Sequence, residues 1–322
     1  ELSRVGMVTD AKWVDINGDG DKDIVIVGEW MGIKIFIHEN GKLIDKSDDF
    51  LDNPYNGWWN TIEVNDLDGD GDIDLIAGNL GMNNQMKPSL ENPVTLRYAD
   101  YDSNGSVDPI LFYYIQGKSF PYASRDELIA QLPMLKKRFV DYESYSSAVF
   151  ETIFTDNEQK LSKELVATTF ETSVFINDEH EKFSSTPLPF QAQFSPVFSI
   201  AVVDVNRDNF LDIVLGGNLE KTRVRTGKYT GNNGFVGASA SGAPNLGRSN
   251  PPSAPPPRSP RPPGRTDSIT LLFTLSMMAS LRMKTYPPKP TTARETAPDA
   301  IAIAFTIFCM ILEYTIPSYY TS

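Results

Sequence analysis

The sequence predicts an all-β chain: a partial β-propeller of four-stranded antiparallel blades, with a helical insertion and a disordered C-terminal tail. Three observations predict it. One nine-residue acidic pattern recurs four times. Short apolar or alternating runs flank every copy. The composition then changes abruptly near Gly237. Repeats of this kind are read first because each unit buries its faces only against its neighbours.

The pattern reads DINGDGDKD at 15–23, DLDGDGDID at 66–74, DYDSNGSVD at 100–108 and DVNRDNFLD at 204–212. Acidic or amide residues stand at positions 1, 3, 5 and 9 of every copy. Position 6 is Gly20, Gly71, Gly105 or Asn209, residue types that adopt positive φ most readily. Before each copy lie TDAKWV, NTIEV, VTLRYA and FSIAVV; after it come IVIVG, IDLIAGN, PILFYY and IVLGGN. Each loop is therefore expected to join two strands rich in Val, Ile and aromatic residues. GIKIFIH at 32–38 and a turn at Glu39–Lys42 extend the first hairpin to four strands. Units of this size are propeller blades. Blades are expected at about 8–50, 57–93, 94–190 and 196–236, the last incomplete.

The spacing has a chemical reason. Ca²⁺ takes six to eight oxygens at about 2.3–2.6 Å. Carboxylates at positions 1, 3 and 5 converge if the chain turns sharply at position 6, and position 7 then offers a backbone carbonyl. The expected ligands are Asp15, Asn17, Asp19, Asp21 and Asp23; Asp66, Asp68, Asp70, Asp72 and Asp74; Asp100, Asp102, Asn104, Ser106 and Asp108; Asp204, Asn206, Asp208, Phe210 and Asp212. An EF-hand would place a bidentate Glu at position 12. Ile26, Ala77, Leu111 and Leu215 stand there instead. A single stretch of this kind is equally a plain Asx-rich turn. Four copies with the same constrained positions are not. Loops one and two are expected to be the strongest sites. Loop four, with Arg207 at position 4 and no Gly, is expected to be the weakest. Mg²⁺ fits less well, since it retains waters.

At these residues the chain resembles the FG-GAP repeat, which forms the blades of the integrin α-subunit propeller with calcium in the hairpin loop. It also resembles the VCBS-type repeats of large bacterial surface proteins. GWWNTIEVNDLDGDGDIDLIAGNLGMN (57–83) and YYIQGKSFPYASRDELIAQLP (113–133) carry the closest likeness, and the resemblance covers roughly 8–236. It implies a secreted or cell-surface module, on a bacterial outer surface or in the periplasm, that binds an extracellular protein or glycan. A carbohydrate-active enzyme domain and a structural spacer are the alternatives.

Residues 119–165 interrupt the strand pattern. Ser124 and Glu127 form a capping box before LIAQLPMLKKRF. Pro133 should break that helix. Further helices are expected around 144–154 and from Thr155–Glu158. This helical insertion within the third blade either shapes a partner surface or only covers an edge. Strand character returns at 169–176 and in KFSSTPLP.

Other features exclude or leave open. The net charge of −13 divides into −17 on residues 1–236 and +4 on 237–322. Acidity argues against nucleic acid and anionic membrane. One Cys excludes an internal disulfide framework, and two His make a His-based centre improbable. No Ser-His-Asp or Cys-His arrangement assembles, so catalysis is not expected, although a carboxylate pair for glycoside hydrolysis stays open. Trp58 and Trp59 could stack on a sugar or pack between blades. Arg223, Arg225 and Lys228 could bind an anion or simply be solvated. His38 and His180 are expected to be exposed. The tail holds 14 of 23 prolines and two apolar runs of 13 residues, 269–281 and 300–312. A spanning helix needs about 20, so only a marginal anchor is conceivable, and a non-native tail is the expectation. No signal pattern precedes the first strand, so a fragment or mature product is expected.

Overall fold

The computed structural model describes residues 2–178, 182–222, 226–232 and 234–237. The calls on His180, Arg223, Arg225 and the tail beyond Gly237 lie outside these residues. Among the described residues no helix is long and apolar enough to cross a membrane.

Among the described residues sixteen strands form four antiparallel sheets. The first sheet contains β1 (Met7–Val14), β2 (Asp23–Met31), β3 (Lys34–Glu39) and β4 (Lys42–Asp45) in that order, and β5 (Gly57–Trp58) also pairs with β2. The expected turn between β3 and β4 is there, with Asn40 at φ 52° and Gly41 at φ 78°. Positive φ at both central residues matches the right-handed twist of the hairpin. The second sheet begins with β6 (Thr61–Asn65) and β7 (Asp74–Gly78). The third holds β8 (Val94–Ala99), β9 (Asp108–Ile115), β10 (Lys118–Pro121) and β11 (Lys163–Ala167). The chain then returns to the second sheet with β12 (Ser173–Asp178) and β13 (Lys182–Pro187), giving the order β13-β12-β7-β6. The fourth sheet is β14 (Ser199–Val203), β15 (Asp212–Gly216) and β16 (Phe235–Gly237). Among the described residues the sheets do not close into a ring.

The pairing divides the segment 94–190 that was expected to be one blade. Residues 94–121 and 163–167 make the third sheet, whereas 173–187 complete the second. Two interactions decide this. Phe175 pairs with Leu75 across β12 and β7, and the Asp74 carboxylate accepts the Asn177 N–H at 2.8 Å. β11 occupies the edge beside β8, where Arg97 and Glu164 form an ion pair at 3.0 Å. β10 and β11 overlap the two ends of the segment 119–165 read as a helical insertion, so its helices occupy only 125–161.

The helices do lie within the third sheet's connection, between β10 and β11. They are α1 (Arg125–Gln131), a 3₁₀ turn at Pro133–Lys137, α2 (Tyr142–Tyr145), α3 (Phe150–Ile153) and α4 (Asp156–Leu161). A further short helix spans Ser47–Phe50. The Ser124 and Thr155 capping boxes form as expected. Pro133 stops α1, since it carries no N–H and clashes with the preceding turn. Leu128, Leu132, Leu135, Phe139, Phe150 and Ile153 pack on Ile110 and Phe112. The layer thus closes one face of the third sheet.

The core explains the stacking. Successive side chains of a strand point to opposite faces. In β7, Leu75 and Ala77 join Val25, Val27, Ile35 and Trp59 between the first and second sheets. Ile76 points the other way and joins Val197, Ile213 and Leu215 between the second and fourth. All of β7 is buried, as befits a strand covered on both faces. Trp58, buried, packs on Trp30 and Phe170 at 4.9 and 4.7 Å. Trp59, fully buried, donates its indole N–H to Tyr55 O at 2.8 Å. Both tryptophans are therefore packing residues, and neither face is available to a sugar.

Asn79, fully buried after β7, accepts the N–H of Trp58 and of Leu80 at 3.1 and 2.9 Å. Its amide donates to Thr169 O and Glu171 O at 3.3 and 3.4 Å. Buried groups left without partners each cost about 1–3 kcal/mol. Asn79→Ala should therefore lower stability by about 3 kcal/mol in urea unfolding; a loss under about 1 kcal/mol would show the network to be dispensable.

Candidate metal centres

Each acidic loop spans one hairpin: β1–β2, β6–β7, β8–β9 and β14–β15. The same four hydrogen bonds recur in all of them. The position-1 carboxylate accepts the position-6 N–H: Gly20 to Asp15 at 2.9 Å, Gly71 to Asp66 at 3.1 Å, Gly105 to Asp100 at 2.9 Å and Asn209 to Asp204 at 2.9 Å. The position-3 oxygen accepts the position-5 N–H, from Asp19, Asp70, Asn104 and Asp208. The position-5 oxygen accepts the position-7 N–H, from Asp21, Asp72, Ser106 and Phe210. The position-9 carboxylate accepts the position-2 N–H: Ile16 to Asp23 at 2.9 Å, Leu67 to Asp74 at 2.8 Å, Tyr101 to Asp108 at 3.1 Å and Val205 to Asp212 at 2.8 Å. These bonds tie the side-chain oxygens at positions 1, 3, 5 and 9 back to the loop's own backbone.

Positive φ is needed at two places, not one. Position 6 has φ of 91°, 103°, 87° and 67°, as its residue types foretell. Position 4 also lies in the left-handed region: Gly18, Gly69, Ser103 and Arg207 at 72°, 85°, 58° and 65°. The glycines at position 4 of loops one and two were the readable signal for this second requirement. Ser103 and Arg207 meet it with a strained backbone.

The closing aspartates are the most buried members. Asp23, Asp74, Asp108 and Asp212 are at most 5 % exposed. The second oxygen of Asp23 accepts the His38 N–H of β3 at 2.8 Å, and that of Asp74 accepts the Asn177 N–H of β12 at 2.8 Å. These third-strand donors have no signature in the loop itself. Burial pushes Asp74 from the ordinary 3.8 up to about 6 against its two backbone donors, and Asp68 and Asp70 add repulsion. Burial also raises Asp68 and Asp108. Exposed Asp19 is lowered, first by the Asp21 N–H and then by Asn17.

One carboxylate oxygen each from Asp66, Asp68 and Asp74 lies within 4.8 Å of the others, and so it is with Asp100, Asp102 and Asp108. Two ligands of one Ca²⁺ are at most about 5 Å apart, so both triads fit one cation. In loops one and four position 3 is an amide, Asn17 and Asn206, in place of the acid. The all-acid triads fall in loops two and three. Asp15 Oδ1 and Asp212 Oδ1 are shut from solvent with no hydrogen-bond partner in the protein. A buried carboxylate oxygen without a donor is unfavourable unless a cation meets it. Hard oxygen donors alone, with no nitrogen or sulfur, suit Ca²⁺. Loop four is the least anchored, since Val205 at position 2 is 53 % exposed, whereas Ile16, Leu67 and Tyr101 are buried. Its Phe210 is 37 % exposed and its position-7 role is through the backbone only. His38 is half-buried, with Nδ1 3.5 Å from Asp21.

Residues 15–77 match the family model of the FG-GAP-like repeat. The matched stretch runs from Asp15, the first residue of loop one, to Ala77 in β7, so it holds loops one and two entire. No curated protein matches the chain in sequence.

Since the folded pKa of Asp74 is raised, its favourable contribution is complete below the unfolded value near 3.8 and is lost as pH rises through about 6. In chelator, stability should fall between pH 4 and 7, and Asp74→Asn should flatten that part of the profile. An unchanged slope in the variant would show that Asp74 is not its source.

Proposed function

We propose that this chain, which carries an FG-GAP-like repeat, is a calcium-stabilised binding module of a secreted or cell-surface protein. Its antiparallel sheets are blades of a partial propeller, and its ligand is an extracellular protein or a glycan held without catalysis. The observation that carries this reading is the recurrence of one hydrogen-bond scheme in four loops, with three carboxylates converging in two of them. A turn needs only its own hydrogen bonds. Holding three carboxylates within reach of one point, as loops two and three do, costs repulsion that a divalent cation removes.

In this reading Asp15, Asp66, Asp100 and Asp204 at position 1, their partners at positions 3 and 5, and the buried closing aspartates supply side-chain oxygens. Asp21, Asp72, Ser106 and Phe210 supply backbone carbonyls. The cation's role is structural: it neutralises the loop and sets the hairpin geometry, and the β-sheets then present the binding surface. The buried positions of Trp58 and Trp59 weigh against an aromatic sugar platform there and towards a protein ligand.

The melting temperature of the full chain should rise with millimolar Ca²⁺ and fall with chelator. Indifference to both would defeat the calcium reading. Asp70→Ala should disable the loop-two site without abolishing binding at the others, as read by calorimetric stoichiometry; loss of all binding would mean that the loops are not separate sites.

A further inference from the structure

The first and second sheets do more than pack. Ile16, position 2 of loop one, is fully buried in the core that Leu75 and Phe175 of the second sheet share. Its N–H is held by the closing Asp23 of its own loop. Its carbonyl accepts from the side-chain amide of Asn177, at 3.5 Å and 161 residues away in sequence. Asn177, itself fully buried, uses its backbone N–H to hold the closing Asp74 of loop two at 2.8 Å. A continuous path therefore runs from Asp23 through Ile16 and Asn177 to Asp74. It joins the two buried carboxylates that close loops one and two. The Asn177 amide oxygen has no hydrogen-bond partner in the protein. A half-satisfied buried amide is a poor choice for core stability, where an aliphatic side chain would serve better. Among the described residues its side-chain bond goes to loop one.

We infer that loops one and two bind their cations as a coupled pair, and that Asn177 is the positioning residue that links them. This rests on the reading that the loops hold Ca²⁺. Filling loop one draws Asp23 and the Ile16 peptide into their bound arrangement. Asn177, fixed against Ile16, then holds its N–H where Asp74 needs it. By linkage the same factor acts in reverse, from loop two to loop one.

Amide resonances of Gly20 and Gly71, each bonded to the position-1 carboxylate of its own loop, report the two loops separately during a Ca²⁺ titration of the full chain. Asp19→Ala, at an exposed position of loop one, should raise the Ca²⁺ concentration at which Gly71 titrates by about tenfold, within the ordinary range of couplings. Asp70→Ala should shift Gly20 by the same factor. Asn177→Ala keeps the backbone N–H to Asp74 and removes only the link. In that background Asp19→Ala should leave the Gly71 midpoint unmoved while both loops still bind. Shifts under about twofold in the Asp19→Ala and Asp70→Ala chains would show independent loops and overturn the coupling. Full coupling that survives Asn177→Ala would overturn the role of Asn177. If Asn177→Ala fails to fold, Asn177→Ser provides the same comparison. Gly20 and Gly71 both unmoved by Ca²⁺ in the native chain would instead sink the calcium reading itself.

Discussion

The interaction on which the rest depends is the buried carboxylate that ends each acidic loop. One oxygen of Asp23, Asp74, Asp108 and Asp212 closes the loop on its second residue. In the first and second sheets the other oxygen reaches a peptide N–H on the third strand. A single side chain thus fixes the turn, the register of the hairpin and the strand that docks beside it. A charged group tolerates such burial only while its oxygens are occupied. The loop and the sheet are accordingly one unit, because neither satisfies this carboxylate alone.

The stacking follows from strand alternation. Residues on either side of Ile76 in β7 face the first sheet, and Ile76 faces the fourth. The second sheet is the middle layer, and its central strand reads as an unbroken apolar run. The third sheet stands apart from this sequence of layers. It packs its Leu96 and Leu111 against Trp30 and Trp58, and turns Ile110 and Phe112 to its own helices.

Local features were legible in the residues themselves. The hairpin loops, the Asn40–Gly41 turn, the Ser124 and Thr155 helix starts and the stop at Pro133 all depend on neighbours within a few positions, and each forms as read. The partnership of β7 with β12 was not legible. Its determinant is an Asp74–Asn177 hydrogen bond across 103 residues, and nothing in the spacing of either residue marks the other. The same holds at the candidate sites. The oxygens at positions 1, 3, 5 and 9 announce themselves by period, whereas the His38 and Asn177 backbone donors belong to no residue type. Arg207 and Ser103 show a further limit: a strained position 4 is hidden once glycine is replaced. Loop three looked weaker than loop one by its Asn104, yet position 3, where Asp102 replaces the amide of Asn17, decides which loop gathers three acids.

The return of the chain to the second sheet has a consequence for the order of assembly. β7 ends at Gly78, and its neighbour β12 begins only at Ser173. Everything between them is a unit with its own core of sheet and helices. Until that unit is compact, the two ends that must meet are separated by a long flexible tether, and closing it costs chain entropy. Folding the insert first draws those ends together, so pairing of β7 with β12 becomes nearly local. The interlayer core on both sides of β7 draws no side chain from that unit, so the insert bears on it through chain closure rather than through contact.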